Sequence, residues 1–156
     1  MEVWDDFKKI FDFSEYRNQW ASFGAGVLFC TGWWFILDIA AHYRSNDFNN
    51  NFYLCGIFAT IALIMINTVT TEQIDGQSYT EGCCGPQTSR VWFLLGWILA
   101  FISLIASVWI LFQHYVVPEE KESHVNKYPG IALFMQNLFI FGSSLLMKYG
   151  RSEERY

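Results

Sequence analysis

Asp38 and His42 lie one helical turn apart in TGWWFILDIAAH, Thr31 to His42. His114 closes another apolar run, and Gln136-Asn137 interrupt a third, ALFMQNLFIF. These side chains could bond, bind or relay. Ionisable and strongly polar groups in apolar surroundings are costly unless partnered, so each needs an explanation. Two histidines and one acid on separate segments fall short of the three or four converging ligands of a metal site, so neither a metal nor a cofactor is expected. Asp38 has three readings. It could be hydrated where the chain leaves a membrane, with His42 or backbone beside it. It could turn inward to Gln136 or Asn137 and lock two helices together, or it could relay a proton or cation.

Cys83 and Cys84 are the other chemical candidates. Adjacent thiols a few residues before an apolar segment suit S-palmitoylation, whereas two cysteines without a second pair make no zinc motif. Cys30 and Cys55 fall inside apolar runs and read as small packing residues. No nucleophile stands beside a base, no glycine-rich loop follows a strand and no acid pair flanks a pocket. Catalysis is therefore not expected.

The elements that position these residues follow from the spacing of charge. The chain has 156 residues, of which 53% are hydrophobic and 16% charged. Uncharged stretches run from Asn18 to Leu37, Phe48 to Thr71, Val91 to Pro118 and Tyr128 to Met147. Each reaches the roughly 20 residues that carry a helix across a bilayer core. GIFATIALIMINTV and VWFLLGWILAFISLIASVWILF are apolar all round, unlike the one-sided helices of a soluble bundle. The sequence thus predicts an all-α integral membrane protein: a compact antiparallel bundle of four transmembrane helices at about 20–41, 52–71, 91–117 and 129–147. A tail at 1–19 precedes the membrane domain at 20–147, and a tail at 148–156 follows it. The N-terminal tail places Val3, Trp4, Phe7, Ile10 and Phe11 at helical spacing, an amphipathic segment for an interface or a partner. The first span begins too late for a signal peptide and is expected to be retained.

Lys and Arg set the orientation. Seven lie in the two tails and the second loop against three in the other loops, which predicts cytoplasmic termini. The net charge of -5 argues against nucleic acid as a partner and leaves membrane lipids and membrane proteins. Packing in lipid needs small residues where helices approach. Pairs four apart mark the expected contacts: Ser22 with Gly26, Gly56 with Thr60, Gly96 with Ala100, and Ser103 with Ser107.

Several strings together, GVLFCTGWWFILD, CGIFATIALIMIN, SYTEGC, LAFISLIASVWILF, YPGIALFMQNLFIF and KYGRSEE, resemble the transmembrane protein 50 family, also called small membrane protein 1. The likeness runs from about Gly24 to Glu154, and Cys84 departs from the family's single-cysteine loop. It implies a four-span protein of the endoplasmic reticulum, Golgi and late-endosomal membranes, linked to vesicular trafficking, with no catalytic residues. Asp38, Asn67, Gln136 and Asn137 are the intramembrane polar positions of its motifs. The expected function is an accessory or scaffold subunit of a larger endomembrane assembly, with lipid handling a natural setting. The alternative is a small oligomeric transporter or channel with a polar path through Asp38, Gln136 and Asn137.

Overall fold

The computed structural model describes residues 14–43, 49–76, 85–117 and 126–151. The predicted N-terminal segment up to residue 13 and the Cys83-Cys84 pair lie outside them. Helix α1 is Ser14–His42, α2 is Tyr53–Asn67 after a 3₁₀ turn at Asn50–Phe52, and α3 is the short Thr71–Asp75. Helix α4 is Pro86–Ile110, continued by a π-helical turn at Leu111–Val116, and α5 is Tyr128–Gly150. Four of these segments are long and apolar enough to cross a membrane: Tyr16–His42, Asn50–Asn67, Pro86–Val116 and Tyr128–Gly150.

The boundaries differ from expectation for local reasons. Helix α1 already includes residues 14–19, which the sequence assigned to the tail, because nothing between Ser14 and Trp20 breaks a helix. Helix α2 stops at Asn67 because Thr70 starts a new helix. Its hydroxyl accepts the Gln73 N–H while the Gln73 side chain accepts the Thr70 N–H, the reciprocal cap of a helix start. Gly76, at φ 77°, then ends α3 in the left-handed conformation that glycine adopts without strain. Pro86 and Pro129 stand in the first turns of α4 and α5, where a missing N–H costs no helical bond.

Helix α5 is the hub. In its membrane-crossing window 44% of residues are buried, against 22% in each of the other three spans, so the last helix is the one the others surround. It packs on α1, α2 and α4, and α2 also packs on α4, whereas α1 keeps its close backbone approach for α5. The pairings fix direction. Ala25 meets Ser143 and Asp38 meets Tyr128, so α1 and α5 are antiparallel. Gly130 lies against Tyr115 while Phe141 lies against Phe101, so α4 and α5 are antiparallel too. Asn67 meets Ser144 beyond the Gly56–Gln136 contact, so α2 and α5 run parallel. The order is up, down, up, down. The core divides into one cluster of Ile36, Ile39, Tyr115, Ala132 and Leu133 near the Asp38–Tyr128 end, and another of Ala62, Ile66 and Ala100 toward the opposite end.

Small residues line the closest approaches. A Cβ at Gly96 would lie 3.0 Å from Ile66 and 3.1 Å from Met65, and Ser103 and Ser107 continue that buried stripe of α4. Gly26 corrects the sequence reading. It is exposed with open space around it, and Ser22 and Cys30 on the same stripe are exposed as well. The face of α1 that meets α5 is rotated by one residue and carries Ala21, Ala25, Gly32, Ile36 and Ile39, all buried.

Candidate functional site

Polar side chains gather at three levels of this bundle. At the end where α1 finishes and α5 begins, Tyr128 donates its hydroxyl to Asp38 Oδ2 at 2.6 Å. His42 Nδ1 lies 3.2 Å from Asp38 Oδ1, and Tyr43 stacks on Tyr128 with ring centroids 6.0 Å apart. Asn126 donates to the Tyr43 hydroxyl at 2.8 Å, closing the clasp between α1 and the start of α5. The Asp38 side chain is 34% exposed and that of His42 71%. Asp38 lies near the end of the first candidate span with His42 beside it, and it fastens α1 to α5. Its partner, however, is Tyr128. Gln136 lies two turns further along α5, about 12 Å from Tyr128 at 1.5 Å per residue, which is beyond a carboxylate's reach. His114 is exposed and turns to the Phe52 ring, 5.3 Å between centroids, rather than to Asp38. Among the described residues no three His, Cys, Asp or Glu side chains converge as metal ligands.

Removing the clasp's short bond is expected to have a modest cost. Tyr128→Phe should lower thermal stability by about 1 kcal/mol, the usual net worth of one hydrogen bond, because Asp38 is open enough to rehydrate. Unfolding curves of the purified full chain in one detergent would show the shift, and Asp38→Asn on the Tyr128→Phe background should add little.

The second level lies inside the spans. Gln136 and Asn137 are 0% and 1% exposed. The Gln136 turn of α5 sits between two glycines: a Cβ at Gly32 of α1 would come 3.1 Å from the Gln136 carbonyl oxygen, and one at Gly56 of α2 would come 2.7 Å from its side-chain Cδ. Beside it Thr60 donates to the Gly56 carbonyl at 2.8 Å and accepts the Trp33 indole N–H at 3.3 Å, which links α2 to α1. Trp33 thus faces inward, while its neighbour Trp34 is 72% exposed. Asn137 donates to the Leu133 carbonyl on its own helix at 2.9 Å. Among the described residues, Gln136 Nε2, Gln136 Oε1 and Asn137 Oδ1 have no hydrogen-bond partner. Each such buried polar atom costs about 1–3 kcal/mol. Ser103 and Ser107, also buried, donate to Leu99 and Leu104 on their own helix.

Toward the other end the polar residues fasten helices. Ser143 donates across to the Ala25 carbonyl at 2.7 Å, and Asn67 donates to Leu63 at 2.8 Å and to Ser144 at 3.4 Å. Lys148 donates to the Val69 carbonyl at 2.7 Å and lies 5.5 Å over the Phe93 ring, so it caps the carbonyl end of α2 with a positive charge. Arg90 bonds the Ile74 carbonyl and Trp92 the Thr68 hydroxyl, which holds the α2–α3 connection against the start of α4. Ser143 is one of the small residues expected to pack the last helix, whereas Tyr128, Gly32 and Lys148 are contacts that the sequence does not mark. Lys148→Met should therefore destabilise the chain by about 1–2 kcal/mol although it is more hydrophobic, since a charged donor is lost from a carbonyl that stays in place. Thermal denaturation compared with Arg151→Met, a nearby exposed cation, isolates that effect.

The family described as "Uncharacterised protein family (UPF0220)" matches residues 5–156, nearly the whole chain. A "Transmembrane protein 50 homolog" of Dictyostelium discoideum is 31% identical over 144 residues, covering 85% of this chain and 90% of that relative. The chain belongs to the transmembrane protein 50 family. No solved structure matches it. Membership and the four spans agree on a multi-pass membrane protein. The string YPGIALFMQNLFIF, which carries part of the resemblance, forms the first part of the hub helix α5.

Proposed function

We propose that this member of the family is a non-enzymatic accessory or scaffold subunit of a larger endomembrane assembly. One observation carries the reading: several polar groups of the spans bond neighbouring helices, while one face of α1 meets no other helix among the described residues. Asp38, Thr60, Asn67, Ser143 and Lys148 tie helix to helix. The stripe of Ser22, Gly26 and Cys30, by contrast, is covered by no helix among the described residues. Small residues on a lipid-facing surface permit close approach of a further helix, the usual way membrane helices associate. The proposed setting is the membranes of the endoplasmic reticulum, Golgi and late endosome, with both termini cytoplasmic and a role in lipid handling or vesicular trafficking. The supports are the family resemblance and the Lys/Arg asymmetry.

Gly26→Leu tests this directly, because open space around Gly26 makes the change harmless to the chain itself. The unfolding free energy should change by no more than about 0.5 kcal/mol, as for an isolated surface change. A defined complex isolated in mild detergent with the native chain should meanwhile be lost. Retention of that complex, or migration of the native chain alone, refutes the reading. The transporter alternative draws its support from the unpartnered Gln136 and Asn137 carboxamides. It requires solute flux in vesicles that Gln136→Leu abolishes.

A further inference from the structure

We propose that the Asp38 end of the α1–α5 pair is a lipid site, at which the Asp38 carboxylate holds the primary ammonium of a phosphatidylethanolamine headgroup. Gly26 lies about 18 Å away along α1, so the proposal does not depend on the accessory-subunit reading. Depth in the membrane is its first support. Arg17 and Asp38 are about 31 Å apart along α1, and Tyr128 and Lys148 about 30 Å along α5, at 1.5 Å per residue. Both spacings match a hydrocarbon core of about 30 Å, which sets Asp38 and Tyr128 at the boundary where lipid headgroups begin. Trp34, one turn inward from Asp38 and well exposed, stands at the depth of the glycerol and the upper acyl chains, the usual belt of interfacial tryptophan.

The carboxylate at this boundary has acceptor capacity to spare. A carboxylate offers about four lone-pair sites. Oδ2 takes the Tyr128 hydroxyl, and Oδ1 takes only a share of His42, whose Nδ1–H lies 3.2 Å from it and 3.0 Å from the Asp38 backbone carbonyl. Among the described residues no Lys or Arg pairs with Asp38. Its side chain is partly exposed at a depth where the surrounding cations are lipid ammonium groups. An ammonium that carries N–H donors suits the site better than choline does. Oδ1 can accept from it, and so can the Tyr128 hydroxyl oxygen, whose own proton is committed to Oδ2. Choline has no N–H to donate and relies on open aromatic faces. Tyr43 and Tyr128 stack on each other, 6.0 Å between centroids and 29° between planes, so the inner face of each ring is already taken. Serine headgroups would bring a second carboxylate against Asp38, which leaves ethanolamine. Lys127, exposed and next to Tyr128 in the chain, supplies a positive charge for the headgroup phosphate, so the site offers both signs that a zwitterion needs.

The test begins with the unsubstituted full chain in mild detergent. It is mixed with equal amounts of dioleoyl phosphatidylethanolamine, the N-methyl and N,N-dimethyl forms of that lipid, or dioleoyl phosphatidylcholine, and bound lipid is counted by native mass spectrometry. Retention should fall as methyl groups replace N–H donors, with the ethanolamine lipid held about tenfold more tightly than the choline lipid, the scale of one charge-assisted hydrogen bond. Asp38→Asn, which keeps an acceptor for Tyr128, should bring the ethanolamine lipid down to the choline level. Equal retention of the four lipids by the unsubstituted chain, or an undiminished preference in Asp38→Asn, overturns the proposal. Trp34→Phe, a change at an exposed position, locates the site should Asp38→Asn fail to fold. In vesicles of equimolar ethanolamine and choline lipids, the share of fluorescence that Trp34→Phe removes should be quenched more when the ethanolamine lipid carries brominated acyl chains than when the choline lipid does. Equal quenching by the two also overturns the proposal.

Discussion

Gly32→Leu should detach α1 from the rest of the bundle. A side chain there meets the Gln136 carbonyl at 3.1 Å, Phe139 Cβ at 3.3 Å and Ile140 Cγ1 at 3.4 Å, and the first of these is backbone in the middle of a helix. Neither backbone can yield without opening the stacked Phe35–Phe139 pair, whose centroids are 5.8 Å apart, and the Ser143–Ala25 bond. Overpacking a close helix contact costs about 1–3 kcal/mol, and a four-atom side chain at a backbone-to-backbone approach belongs at or above the top of that range. The expected result is a chain that unfolds several degrees lower and becomes sensitive to proteolysis within α1, measured by thermal denaturation and limited digestion in detergent. Gly26→Leu, six residues away on the free face, is the matched control and should leave both unchanged.

The second large effect is expected at Gly56. Gly56→Leu places its side chain where the Gln136 carboxamide lies, and that carboxamide is fully buried with no open side to enter. A loss of about 2–3 kcal/mol follows from overpacking. Because the obstruction is the flexible end of one residue, Gln136→Ala should recover much of it: Gly56→Leu with Gln136→Ala should be more stable than Gly56→Leu alone, although Gln136→Ala vacates a core position. A coupling energy of at least about 1 kcal/mol in this double-mutant cycle marks direct contact, while additive effects mark separated residues. Denaturation of the four chains in one detergent provides the numbers.

The spans were legible because charge is excluded from lipid, and the charge-free stretches coincide with the helices to within a few residues. The packing was legible only in part. Gly56, Gly96, Ser103 and Ser107 are buried as their spacing implies, yet Ser22 and Gly26 share that spacing and face outward. Both stripes of α1 are apolar or small, one rotated about 100° from the other, and in lipid no difference in polarity selects between them. Gly32 escaped notice because Leu28 and Ile36, its neighbours one turn away, are large. Asp38 has three readings in sequence, and in the structure Tyr128 supplies the contact that one of them expects of Gln136 or Asn137. Tyr128 is the first residue of α5, so it reads as a terminus in sequence and becomes a neighbour only once α5 lies antiparallel to α1. The hub position of α5 had a signal: this span carries Gln136, Asn137, Ser143 and Ser144, more strongly polar groups than lipid tolerates on an outer helix.

Every part of this account depends on α5 lying directly against α1, with Ser143 at Ala25. Disulfide formation between Ala25→Cys and Ser143→Cys, in a full chain whose native cysteines are alanine, measures that placement because a disulfide requires Cα atoms within about 7 Å. The account predicts an intramolecular cross-link for this pair and none for Gly26→Cys with Ser143→Cys. A cross-link from position 26 but not from 25 would contradict it.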